Sequence, residues 1–189
     1  MGFKIPSVVS IAGSDSSGGA GIQADLKTIE ALGLFAQTAI TALTAQNTRG
    51  VSGVLDVPSE FVVQQIDAVF EDIRPGAVKI GMVSSALNVV AIAESLRAHA
   101  AENIVVDPVM VSTSGSRLIS DVASEALTGR LFPLASVITP NIPEAEVLWG
   151  RGIATKRDME AAAGELSERF GVAVLVKGGQ ASSRSEARR

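Results

Sequence analysis

The residues whose types could do chemistry gather first in 10–25, SIAGSDSSGGAGIQAD. An apolar run at 8–12 stops at Gly13, nine residues with four glycines follow (13–21), and an apolar pattern with helical spacing begins near Ile22. That order predicts a strand, an open glycine-rich loop and a helix. Gly18, Gly19 and Gly21 permit positive φ and close approach of a ligand to the backbone. The free N–H groups of the following helix point back into the loop, which suits an anion or a polar ligand. The plainer alternative is a ligand-free connection, although a strand-to-helix link usually needs only about 2–6 residues. Further polar groups punctuate the chain at Gln46-Asn47-Thr48, Gly81-Met82, Asp107-Pro108, Thr139-Pro140-Asn141 and Lys177-Gly178-Gly179. Asn141 with Glu144 three residues on also reads as a helix cap with a first-turn acid.

The elements that must position these groups alternate. Strand-like runs fall at 8–12, 39–44, 77–80, 103–106, 137–139 and 172–176, and VSGVLDV at 51–57 reads as an edge strand or flap. Helical spacing is predicted over 22–32, from Ser59 as a cap to about 73, over 85–100 and over 120–131. A short helix opens at 140–144, and Thr155 with Asp158 resembles a capping box before a last helix. Strands of this kind are buried on both faces. The expected class is therefore α/β, a mostly parallel central sheet with helices on both faces. In such sheets ligands sit at the carboxyl ends of the strands, where the polar groups fall. No internal repeat or linker divides the chain, so 1–180 is expected to be one domain, with a disordered Ser/Arg-rich tail at 181–189.

Composition excludes several classes. Formal charge is −4, giving no reason to expect nucleic-acid binding. No apolar run nears the ~18 residues of a membrane span, and no leader-like segment opens the chain. Absence of cysteine removes disulfides and thiol catalysis and makes a cytoplasmic address the default. His99 is the single histidine, within a helical pattern beside polar residues, and is expected to be solvated. A His-based triad or a His-rich zinc site is thereby set aside. GAGIQA at 19–24 matches a dinucleotide fingerprint, but no carboxylate follows at the end of the second strand, where Ala45-Gln46-Asn47 stands. No glycine precedes Lys-Ser or Lys-Thr, so there is no P-loop.

AGSDSSGGAGIQADLKT (12–28) resembles the N-terminal signature of the hydroxymethylpyrimidine/phosphomethylpyrimidine kinases of thiamine biosynthesis, in the ribokinase-like superfamily. TALTAQNTRG (41–50), KIGM (79–82), DPVM (107–110), ITPNIPEA (138–145) and VKGG (176–179) match the same family in the same order. The resemblance implies ATP-dependent phosphorylation of a small aminopyrimidine alcohol and then of its monophosphate. By matching position it implies a pyrimidine pocket lined by Gly13, Asp25, Gln46, Met82 and Val109. A side-chain amide offers a donor and an acceptor, and Asp25 could accept from the exocyclic amine. Met82 and Val109 would supply apolar walls. On the nucleotide side it implies Asn141, Glu144 and Lys177. Asp107 and Glu144 would stand near Mg²⁺, and Lys177 would offset phosphate charge. A homodimer is implied by the same resemblance.

The family continues past Lys-Gly-Gly with further strands and a Gly-Thr-Gly-Cys motif, which supplies the phosphoryl anion hole and the catalytic-base position. Here Gln180 stands where a histidine often follows the two glycines, and Ser/Arg-rich residues come next. No catalytic residue is therefore assigned, and weak or absent phosphoryl transfer is expected of this chain. Two alternatives remain: a non-catalytic pyrimidine-binding protein, and a pyridoxal/pyridoxine kinase.

Overall fold

Ile11, Ile80, Val106 and Ile138 stand in one row across four adjacent strands, and all four are fully buried. Period-2 alternation puts each on the same face, and burying such side chains contributes about 1.5–3 kcal/mol apiece. The computed structural model describes residues 6–110 and 119–178, and the tail expected at 181–189 lies outside them. Among the described residues seven strands form one sheet: β1 (Ser7–Asp15), β2 (Phe35–Asn47), β3 (Gly50–Asp56), β4 (Ala77–Ile80), β5 (Ile104–Val106), β6 (Val137–Ile138) and β7 (Ala173–Val174). Their order is β3-β2-β1-β4-β5-β6-β7. All neighbours are parallel except β2 and β3, which form an antiparallel hairpin with every residue of β3 exposed. The mostly parallel α/β reading holds, and 51–57 is the edge flap.

Among the described residues six α-helices cover the sheet: α1 (Gly21–Ala31), α2 (Ser59–Glu71), α3 (Ala86–Ala98), α4 (Asp121–Ala126), α5 (Ile142–Trp149) and α6 (Lys156–Phe170). Val62, Ile66, Val89, Ile92 and Leu166 join Val9 and Ile11 in one core, so α2, α3 and α6 share that face. Helix α1 lies on the other face, above Ser10. The row on that face runs Ser10, Lys79, Val105, Val137, Ala173, and its cover falls from fully buried at Ser10 to exposed at Ala173. The sheet is thus covered on both faces near β1, and on one face at β7.

Local detail departs from expectation in four places. Strand β1 continues through Gly13 to Asp15 with a register irregularity at 12–14, which shortens the loop. Helix α2 is capped at Pro58 without a side-chain bond, so Ser59 is not its cap. Past α4 the chain widens into a π turn (Leu127–Leu131), where the Thr128 hydroxyl donates back to the Ser124 carbonyl, and then tightens into a 3₁₀ turn (Phe132–Leu134). His99 is not simply solvated: its ring stacks on Phe70 at 4.7 Å and meets Asp67 at 2.7 Å. The Thr155/Asp158 capping box is present as read.

One backbone constraint sets the geometry of the β1–α1 turn. Gly21 has φ +56°, and a Cβ there would stand 2.3 Å from the Gly13 carbonyl oxygen. Gly21→Ala is expected to cost more than about 3 kcal/mol, seen as a large fall in Tm or loss of soluble folded protein. Gly129, with nothing within 4 Å of a Cβ, should accept alanine with little change in Tm.

Candidate functional site

The carboxyl ends of the parallel strands form one rim, and every residue expected at a site lies along it or just beneath it. At its centre the glycine loop is already filled. The Asp15 carboxylate accepts from the backbone N–H of Ser17 (2.8 Å), Gly19 (3.0 Å) and Ala20 (2.8 Å), and from the Ser17 hydroxyl. Burial alone would raise the Asp15 carboxyl, yet these bonds outweigh it and hold the group below its ordinary value. The chain's own carboxylate thus takes the N–H groups of the loop itself, while the first turn of α1, from Gly21 on, carries no side-chain cap. Gln23 braces the same turn, accepting from the Asp15 N–H at 2.8 Å and donating to the Ser14 hydroxyl at 2.7 Å.

Of the five residues expected to line a pyrimidine pocket, Gly13, Met82 and Gln46 stand against this turn or its strand, while among the described residues no hydrogen bond joins Asp25 or Val109 to them. Gly13 and Met82 touch: a Cβ on Gly13 would lie 2.6 Å from Met82 Cε. They meet where the order of β1, β2 and β4 reverses direction, the place where such sheets hold ligands. The Thr41 hydroxyl fixes this point by donating to the Met82 carbonyl at 2.8 Å. Gln46, at the end of β2, is held by a reciprocal pair with Ser16: its N–H donates to the Ser16 hydroxyl (2.9 Å), which donates to its carbonyl (2.7 Å). Its side-chain Oε1 accepts from Thr44 at 3.1 Å. Val109 is half-buried in a turn closed by its N–H on the Asp107 carbonyl. Asp25, one turn into α1, accepts from the Ser10 hydroxyl at 2.6 Å and from Lys79 Nζ at 2.8 Å.

The other half of the rim is charged. Asp107, just past β5, accepts from Lys177 Nζ at 2.6 Å, and Asn141 pairs with Lys177 through an isolated parallel bridge. Asn141 caps α5 reciprocally: its side-chain oxygen accepts from the Glu144 N–H (2.9 Å), and the Glu144 carboxylate accepts from the Asn141 N–H (2.8 Å). The capping reading of this pair holds, and the same capping box places Glu144 beside Asp107 and Lys177. Glu144 is only 2% exposed. Burial pushes its carboxyl up to about 6. The charge of Asp107 adds to the rise, while the Asn141 N–H, Lys177 and the Met110 N–H oppose it. Two carboxylates, one buried and reluctant to ionise, suit a hard cation that brings its own water and phosphate ligands. Among the described residues no cluster of three or more acids or histidines could hold a metal unaided. A groove of about 450 Å³ lined by Trp149, Glu165 and Arg169 lies at the far end of α5 from the rim, and Arg151 stacks on Trp149 beside it.

Sequence reasoning missed Asp15, Ser10 and Lys79. Asp15 and Lys79 were inside motifs already singled out, and the signal available was an acid amid glycines and a lone charge in an apolar strand. The fold and its rim define a ribokinase-like α/β protein. The phosphomethylpyrimidine kinase family model matches residues 15–188. The hydroxymethylpyrimidine/phosphomethylpyrimidine kinase of Rhizobium meliloti is 55% identical over 172 residues, 90% of this chain and 64% of that protein. A crystal structure of phosphomethylpyrimidine kinase from Clostridium difficile 630 superposes with TM-score 0.85 at 50% identity, covering 93% of this chain and 76% of that one. An ADP complex of Bacillus subtilis pyridoxal kinase gives 0.84 at 34% identity, covering 93% and 67%. The chain belongs to the phosphomethylpyrimidine kinase family. It spans about two thirds or less of the first curated relatives it matches.

Two pH responses follow. Glu144 has its folded-state pKa raised from 4.5 to about 6, so its contribution to stability is fully present below pH 4.5 and is lost as pH rises through about 6. Glu144→Gln should flatten that limb and raise stability at pH 8 by about 1–2 kcal/mol, read by denaturant melts. Asp15 is shifted the opposite way, so its contribution is present above pH 3.8 and fades as pH falls below. Asp15→Asn should lower Tm at pH 7 and weaken the remaining acid dependence.

Proposed function

We propose that this chain carries the substrate-recognition part of a cytoplasmic, ATP-dependent kinase acting on 4-amino-5-hydroxymethyl-2-methylpyrimidine and its monophosphate in thiamine biosynthesis. The observation that carries this reading is the division of one rim into two chemistries. Gly13, Met82, Gln46, Asp25 and Val109 offer apolar walls with a few polar acceptors and donors, the needs of a flat neutral heterocycle. Asn141, Glu144, Asp107 and Lys177 offer paired charges, the needs of a nucleotide phosphate with its cation. The self-filled glycine loop supports the same division, because it repels a phosphate from the centre of the rim.

Asp107 and Glu144 would hold Mg²⁺ largely through water, and Lys177 would swing from Asp107 to phosphate oxygens. When bound, the cation neutralises charge building up between the phosphates. The chain's own residues bind and orient: Gln46 and Asp25 read the polar edge of the ring, Met82 packs on its face, and Asn141 fixes Glu144. Dimerisation, carried over from the family resemblance, belongs to this proposal.

Titration calorimetry tests the division. The chain should bind hydroxymethylpyrimidine. Gly13→Val, which puts methyls onto Met82, should weaken that binding more than about tenfold while sparing Mg-ATP. Lys177→Met should do the converse. Binding of pyridoxal in preference to the pyrimidine, or of neither, would overturn the substrate reading. Pyrimidine binding with no nucleotide binding would leave a binding protein rather than a kinase.

A further inference from the structure

Asp25 is gripped through a single oxygen. Ser10 Oγ donates to Oδ2 at 2.6 Å and Lys79 Nζ donates to the same oxygen at 2.8 Å. Ser10 and Lys79 are register partners on β1 and β4, so two donors rise side by side from the sheet to meet a carboxylate on α1. Oδ1 takes no donor from the described residues. An aspartate left alone turns broadly about its last torsion, and two donors on one oxygen remove that freedom. The side chains of Lys79 and Asp25 are 27% and 19% exposed, so the pair is not sealed from solvent. The space is reserved as well: a Cβ on Gly81 would stand 2.8 Å from Lys79 Nζ and 2.9 Å from Ala12 Cβ. Glycine at 81 keeps the ammonium in place immediately before Met82.

We propose that Lys79 is a positioning residue for substrate recognition: with Ser10 it locks Oδ2 of Asp25 and presents Oδ1 as the acceptor for the exocyclic amine of the pyrimidine. This rests on the substrate reading above. A merely structural ion pair would tie α1 to β4 and would be indifferent to which ring is bound.

The test is calorimetry with two probes, 4-amino-5-hydroxymethyl-2-methylpyrimidine and its analogue lacking the 4-amino group, on the wild-type chain and the variants Lys79→Met, Ser10→Ala and Asp25→Asn. Lys79→Met should weaken the amino compound about tenfold or more and the des-amino analogue less than about twofold. Asp25→Asn should show the same selectivity, and Ser10→Ala a smaller loss of the same kind, which keeps the test available if Lys79→Met fails to fold. Equal losses for both probes, or a lowered Tm with unchanged affinities, would overturn the positioning role and leave the substrate reading intact. Failure of the wild-type chain to bind either probe would overturn the substrate reading and this inference with it.

Discussion

The register of β1 against β4 is the constraint on which the rest depends. Ile11 stands beside Ile80 and Ser10 beside Lys79. Side chains alternate faces along a strand, so a slip of one residue would turn Ser10 and Lys79 into the core and Ile11 and Ile80 toward α1. A charge in that core would cost several kcal/mol, which is why the register admits no neighbour. The same alternation carries Gly13 to the rim against Met82 and leaves Asp25 one helical turn away, above Ser10. Core packing and site geometry are therefore a single decision made in β1.

Two electrostatic solutions share the rim, and they differ in kind. At the glycine loop, Asp15 meets N–H groups of three residues, so its negative charge is welcome and already spent on the chain itself. At α5, Glu144 is buried near Asp107, and the N–H groups of Asn141 and Met110 offset that burial only in part, so its charge is resisted. A carboxylate held near the edge of ionisation is poorly served by protein alone and well served by an arriving cation. Lys177 donates to Asp107 rather than to Glu144, so its charge eases the burial of Glu144 only from a distance.

Much of this was legible in the sequence, for identifiable reasons. Apolar runs bounded by Gly, Pro and Asp marked the strands because parallel strands are buried on both faces. Collinear motifs marked the rim because the polar residues at strand ends have no packing reason to be there. The capping box at Thr155 and Asp158 was local, and local patterns read well. What escaped was non-local. Lys79 and Asp25 are 54 residues apart, and their meeting needs the β1–β4 register before it can be seen. The role of Asp15 escaped for another reason: a glycine-rich loop before a helix looks the same whether its N–H groups await a ligand or already hold a side chain. Only the direction of β1 beyond Gly13 distinguishes the two.

That distinction bears on what the rim can recognise. A loop with open N–H groups at a helix start favours phosphate, and a rim with such a loop at its centre would draw the nucleotide there. With Asp15 in place the N–H groups of Ser17, Gly19 and Ala20 are taken, and the centre of the rim carries a carboxylate near the start of α1. Lys177, held on Asp107, puts a cation on the other half. On the reading proposed above, charge rather than a wall would keep a heterocycle and a nucleotide on separate halves, and the amine edge of the ring would face Asp25.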